Sequence, residues 1–193
     1  MSALFTLLEH IINLFAMIFL VRMLLQLASA DFYNPIAQFV HKVTGPILEP
    51  LRNLVPDIGK FSLASLLVVI IIIVAKFIIF GLIIGQMFPT NYMVFGSLVG
   101  LAFSNGMSIA GLLMIAINLL LILFVALMIS SFMANGQYHP AITFFYQVTR
   151  PLLSPLQKII PPIAGIDFSP MILLFGLFFL QNWLLNLGGK LLS

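Results

Sequence analysis

A run of nineteen residues, LLVVIIIIVAKFIIFGLII at 66–84, holds a single charged side chain. No helix of a water-soluble core looks like this. A helix of about 20 apolar residues crosses the hydrocarbon of a bilayer at about 1.5 Å rise per residue, with its backbone polar groups satisfied internally. Three further stretches have the same character, so the predicted spans are 3–26, 62–86, 109–133 and 169–187. Hydrophobic residues make up 62% of the 193 and charged residues 7%, against about a quarter charged in soluble domains. The expected fold class is therefore an all-α membrane protein with four transmembrane helices. Little chain remains for a separate soluble catalytic domain.

Other classes fall away on simple grounds. Eight Lys and Arg, spread along the chain and giving a net charge of +3, are too few for a nucleic-acid surface. With no cysteine, disulfides, CxxC redox chemistry, thiolate metal sites and the c-type haem motif are excluded. The triplet Ala28-Ser29-Ala30 resembles a signal-peptide cleavage site. The preceding segment lacks an N-terminal Lys or Arg, however, and is interrupted by Glu9, His10, Asn13 and Arg22, which favours a retained span. A fifth apolar piece, 92–103, is too short to cross and reads as re-entrant or interfacial.

Loop charges give the orientation. Lys42, Arg52 and Lys60 lie between the first two spans, Arg150 and Lys158 between the last two, and the middle loop has neither Lys nor Arg. The positive-inside rule places the two basic loops in the cytoplasm and the termini outside, with Lys190 against the trend.

The chain repeats itself. Residues 34–56 read NPIAQFVHKVTGPILEPLRNLVP and residues 139–161 read HPAITFFYQVTRPLLSPLQKIIP. At an offset of 105, Pro35, Pro46, Pro50 and Pro56 meet Pro140, Pro151, Pro155 and Pro161. Asn13 meets Asn118, and after a two-residue insertion Phe61-Ser62 meets Phe168-Ser169. Two spans per copy leave both copies in one orientation, as parallel repeats about an axis along the membrane normal. The expected units are 1–86, a connecting segment 87–108, and 109–193. Within the loops, Ile36, Phe39, Val40 and Val43, then Ile47, Leu48, Leu51, Leu54 and Val55, keep helical spacing. Ala141, Phe144, Phe145 and Val148, then Leu152, Leu153, Leu156, Ile159 and Ile160, repeat it. Proline between the two runs predicts an amphipathic helical hairpin in each loop, lying on the membrane surface or docking a protein partner.

Polar residues inside the spans are the candidate site. Counted from the cytoplasmic ends at 1.5 Å per residue, Asn13, Lys76, Asn118 and Asn182 fall at roughly 18–22 Å, with Glu9 and His10 one turn further out. An isolated Lys at such depth is costly, and Glu9 is the acid placed to answer it. Two readings remain open: a structural hydrogen-bonded layer, or a small polar cavity for a proton, ion or solute. Gly81 and Gly85, and Gly96 and Gly100, form GxxxG patterns that suit packing within the chain or between copies as a homo-oligomer. Ser169 and Pro170 suit a helix start as N-cap and N1, and Asp167 beside them suits a partner or ion contact. Three histidines, two of them in loops, do not form a haem-ligating pair, and no catalytic residue, metal site or cofactor is expected.

The motif residues resemble the YggT family of bacterial and plastid membrane proteins. The second copy carries the fuller pattern: Arg150, Pro151, Pro155, Pro161, Asp167, Ser169 and Pro170. The first retains Pro46, Pro50, Arg52 and Pro56, but has Lys60-Phe61-Ser62-Leu63 where Asp-Phe-Ser-Pro is the family pattern. The resemblance implies a tandem-duplicated member in the cell inner (plasma) membrane. It further implies a role tied to membrane-complex assembly, cell division or osmotic tolerance, with no reaction attached. Together the readings point to a non-catalytic protein that organises or assists other membrane proteins, with the lipid bilayer and a membrane-protein partner as its contacts and no nucleic acid. The alternative is a small ion or solute transporter or channel using the polar layer.

Overall fold

The computed structural model describes residues 2–84, 111–133, 139–160 and 167–192. Those residues form α1 (Ser2–Leu27), α2 (Pro35–Arg52), α3 (Leu63–Ile84), α4 (Leu112–Met133), α5 (Pro140–Ile159) and α6 (Ser169–Leu192). The only other pairing among them is an isolated antiparallel bridge between Ile58 and Phe61. Gly59 turns that corner at φ 59°, a conformation a Cβ would disfavour. The described residues are all-helical, as expected. The connecting segment 87–108 with its 92–103 piece, Gly85, Gly96, Gly100 and Pro161 lie outside the described residues.

Two segments, Leu7–Leu27 and Leu112–Ile129, are long and apolar enough to cross a membrane, and the described apolar stretches of α3 and α6 cover Leu63–Lys76 and Ser169–Leu184. The outward faces of all four helices are apolar: Leu7 and Leu14 on α1, Ile71 on α3, Ile122 on α4, and Phe175 and Phe179 on α6 are all exposed. Faces like these need an apolar surrounding.

Inside, Phe19 and Leu20 of α1, Val69 and Ile73 of α3, Leu48 of α2 and Val148 of α5 share one core cluster. A smaller one joins Phe124 and Leu127 of α4 to Leu153 of α5. α1 packs against α2, α3, α4 and α5, whereas α4 packs against α5 and α6.

The loop helices differ from expectation. Each is a single rod that runs through its prolines, Pro46 and Pro50 in α2 and Pro151 and Pro155 in α5, so the helical hairpins are corrected to continuous helices. The reason lies in where the prolines sit. Pro46 and Pro50 are exposed and Pro155 is exposed, so carbonyls that lose their intrahelical donor (those of Lys42, Pro46 and Pro151, four residues earlier) belong to the outer side of the rod. Water there can replace a lost bond. The opposite side is held by packing: Ala37, Val40, Thr44 and Leu48 in α2, and Phe144, Val148, Thr149 and Leu153 in α5, are buried. The apolar stripe of α2 is thus divided. Val40 and Leu48 pack on neighbouring helices, while Phe39 and Ile47, and Leu54 just past the helix end, are exposed.

Both rods start the same way. Asn34 and His139 are extended N-caps whose side chains accept from Ile36 and Ala141 N–H groups, each followed by Pro at N1. The missing N–H of proline costs nothing there.

Candidate functional site

The polar residues of the apolar helices form two pairs, one in each half of the sequence. In the first, Lys76 Nζ donates to Asn13 Oδ1 at 2.8 Å and lies 3.8 Å from Glu9 Oε1. In the second, Gln181 Nε2 donates to Asn118 Oδ1 at 2.7 Å. The acceptors Asn13 and Asn118 are equivalent at the offset of 105. Past the two-residue insertion, however, Lys76 corresponds to Trp183 and Gln181 to Val74, so the two halves answer one equivalent asparagine from different positions of α3 and α6. The Lys76 side chain is wholly buried, and Glu9 is partly exposed. Lys76 thus donates a hydrogen bond to the neighbouring α1 and lies within reach of a carboxylate on the same helix.

Two members of the expected layer are displaced. Asn182 is exposed and donates to the Phe178 carbonyl of its own helix at 2.9 Å; Gln181, one residue earlier, points inward instead. Depth counting alone could not separate them, because adjacent helical positions differ by about 100° in direction. His10 is on an exposed face. The groove beside Lys76, about 470 Å³ between α1 and α3, is lined by Ile11, Phe15, Ile18, Ile72 and Ile79. Those side chains offer no polar path toward the ammonium group.

A second constellation lies where α2 turns into α3. Asp57 Oδ2 accepts from Gln26 Nε2 at 2.8 Å and lies 3.3 Å from Arg52 Nη2, and Arg52 also donates to Gln26 Oε1 at 2.5 Å. Arg22, buried in α1, donates to the His41 ring, which stacks edge-on to Phe32. Burial first, then the positive charges of Arg22 and Arg52, pushes the His41 pKa down to about 4. The imidazole is therefore neutral and able to accept from a guanidinium. Arg22 Nε, Arg52 Nε and Asp57 Oδ1 are buried without hydrogen-bond partners, so charge attraction supplies part of the cohesion.

The second half repeats this fastening without the arginine. Gln157, the counterpart of Arg52, donates to Asp167 Oδ2 at 2.7 Å, and Asp167 Oδ1 accepts from the Ser169 N–H at 2.9 Å. Burial works to raise the Asp167 pKa, but the Ser169 N–H and Gln157 donors outweigh it and hold the carboxyl below its ordinary value. The buried Ser169 hydroxyl lies close enough to favour the carboxylate, yet not at hydrogen-bonding distance. Asp167, then, is the cap of α6, with Ser169 as its first residue and Pro170 its second. In the first half Ser62 itself caps α3, its Oγ 3.0 Å from Ser65 Oγ and 3.4 Å from Ser65 N.

Asp57 is the residue that sequence reasoning missed. It takes the tethering role of Asp167 from five residues before Ser62, not two, and the Gly59 turn absorbs the difference. A signal was present in the Arg52–Asp57 spacing. Thr44 and Thr149, equivalent and buried, each donate to the carbonyl four residues earlier, at 2.7 and 2.8 Å. Pro56 and Arg150 are exposed. The halves are tied by Asn34, whose Nδ2 donates to the Pro140 carbonyl at 2.8 Å.

Among the described residues no group of three His, Cys, Asp or Glu side chains is arranged to hold a metal ion. A family model described as CCB3/YggT matches the chain twice, over residues 1–83 and 106–188. The chain is 36% identical over 191 residues to a protein of Escherichia coli K12 described as uncharacterized protein YggT, covering 97% of this chain and 89% of that one. It is 34% identical to an uncharacterized protein of Haemophilus influenzae (94% and 91% covered). A Vibrio alginolyticus protein described by its position in the proC 3' region is 32% identical (96% and 95%). No solved structure matches.

Proposed function

The chain belongs to the CCB3/YggT family, and on that premise we propose that it is a non-catalytic inner-membrane protein whose two loop helices form a rigid cytoplasmic platform for other membrane proteins. In this reading α1, α3, α4 and α6 are four spans in two parallel repeats, with both termini outside. The observation that carries the proposal is the fastening of each rod at its C-terminal end, Arg52 to Asp57 and Gln157 to Asp167. Rods held in this way present a fixed outer edge bearing Lys42, Glu49 and Arg150, all exposed. The proline pairs add carbonyl acceptors to that edge, free of intrahelical donors. Fixed polar groups around an apolar-flanked helix suit recognition of a partner helix or loop, because little ordering is needed on binding.

The experiment is photo-cross-linking in native membranes from probes at Lys42 and Arg150, with Phe175 as a lipid-facing control. A discrete protein adduct from the two platform positions, absent from the control and lost when Asp57→Ala and Asp167→Ala are combined, supports the platform. Adducts that persist in the double variant would remove the role assigned to the fastening. Topology is checked separately: reporter fusions after Arg52 and Arg150 should read cytoplasmic and one near Asn105 outside.

The Lys76–Glu9 pair is the observation that favours the second reading, a small ion or solute transporter. Ionisable groups inside a span mark ion pathways in many membrane proteins. The apolar lining of the adjacent groove and the direct Asn13 bond weigh toward a structural role. Flux of protons or monovalent cations in proteoliposomes, abolished by Lys76→Met, would reverse that preference.

A further inference from the structure

From the first long helix through Pro56 the two halves correspond at an offset of 105, yet the faces by which they meet are used only once. α1 packs against α5, and Leu20 and Leu24 of α1 share a core cluster with Phe144 and Val148 of α5. By the repeat, the equivalent contact is between α4 and α2, through Val125 and Ile129 on one side and Phe39 and Val43 on the other. Among the described residues α4 and α2 do not touch.

Burial reports the same asymmetry on both surfaces. Leu20 and Leu24 are 3% and 9% exposed, whereas Val125 and Ile129 are 44% and 54% exposed. Phe144 is 5% exposed, and its counterpart Phe39 is 62% exposed. Ile122, the counterpart of partly buried Met17, completes the stripe on α4. The chain therefore carries one made copy of a helix-on-rod contact and both unmade halves of a second. The unmade halves are on different elements, so one molecule can offer its α4 stripe to the α2 flank of the next. A contact of this head-to-tail kind closes into a ring if the rotation allows.

We propose that this protein self-associates through α4 of one copy seated on α2 of the next, reproducing between chains the contact that α1 makes with α5 within the chain. The polar tether has an equivalent too. Asn34 caps α2 and donates to the Pro140 carbonyl; His139, exposed and capping α5 through Nδ1, leaves Nε2 to reach the Pro35 carbonyl of the neighbouring copy. A lipid tail can cover an apolar stripe, but it does not explain why equivalent positions are protein-covered in one half and bare in the other. The proposal is independent of the platform reading, because it concerns the apolar flank of α2 and not its outer polar edge.

The chain has no cysteine, so introduced thiols report cleanly. The variant Phe39→Cys/Ile129→Cys, treated in native membranes with a short bifunctional maleimide, should give covalent dimers and closed higher species. Phe39→Cys alone and Ile129→Cys alone should give neither, since a head-to-tail contact does not bring a residue beside its own copy. Both positions are exposed, so folding is not at issue. Cross-linking by either single variant would mean a two-fold interface of another kind and would overturn the proposal. So would a monomer as the sole species by native mass spectrometry from nanodiscs holding the unmodified protein.

Discussion

Replacing Asn13 with Leu removes the oxygen that sits 2.8 Å from the Lys76 ammonium group. A hydrogen bond to a charged group contributes about 1.5–3 kcal/mol. Glu9, at 3.8 Å, interacts with Lys76 by about 4 kcal/mol at an effective dielectric of 20; because Glu9 is partly exposed, screening reduces this to roughly half. Asn13→Leu should therefore destabilise by about 2 kcal/mol, and Lys76→Met should cost less than Glu9→Gln, since the carboxylate left behind reaches solvent whereas a buried ammonium does not. In a cycle of Asn13→Leu and Lys76→Met, the coupling should be about 1.5–2 kcal/mol, roughly a tenfold or greater change in the unfolding equilibrium. The same cycle on Asn118→Leu and Gln181→Leu, a neutral pair at 2.7 Å, should give about 1 kcal/mol. Equilibrium unfolding by SDS titration in mixed micelles reads all eight proteins. Equal couplings in the two halves would refute a charged Lys76. Additivity to within about 0.5 kcal/mol in the first cycle would refute the hydrogen bond itself.

Three further outcomes follow from the fastened rods. His41 has a folded pKa of about 4, below its ordinary 6.5, so its neutral form contributes stability that is fully present above about pH 6.5 and lost as pH falls toward 4; a ring titrating near 6.5 by NMR would contradict its burial beside the Arg22 and Arg52 charges. Asp167→Ala should lower stability by about 1 kcal/mol through loss of the α6 cap, and Asp57→Ala by more, because Arg52 loses its counter-charge; thermal melting in detergent compares them. Leu153→Ala, at a buried position, should cost about 2–5 kcal/mol, while Ile159→Ala, exposed one face away, should stay within about 0.5 kcal/mol.

The sequence carried the helices plainly, because apolar length is a one-dimensional property. It also carried Asn13 and Lys76, since a polar side chain in such a run must be answered by something. Direction around the helix was harder. Asn182 and Gln181 sit at the same depth within one residue, and only the packing of α4 against α6 decides that the amide of Gln181 faces Asn118. The prolines misled for a related reason: a proline breaks a helix when its lost bond is buried, and Pro46 and Pro50 lie on the open side of a rod whose other side is packed. Asp57 was hidden because the repeat slips by two residues between Pro56 and Phe61, so aligning motifs by their letters set Lys60 opposite Asp167. The acid that closes the first rod lies within that slip.

Asn34 makes two bonds with one planar amide: its oxygen closes the start of α2, and its nitrogen holds the carbonyl at the start of α5. A rigid group of that size fixes the spacing of the two helix ends. Motion that draws the two halves apart breaks the Nδ2 bond and leaves the amide held only by Ile36, free to rotate about its side chain. Opening therefore loosens the cap of α2, and faster hydrogen exchange at the Ile36 amide is expected whenever the halves separate.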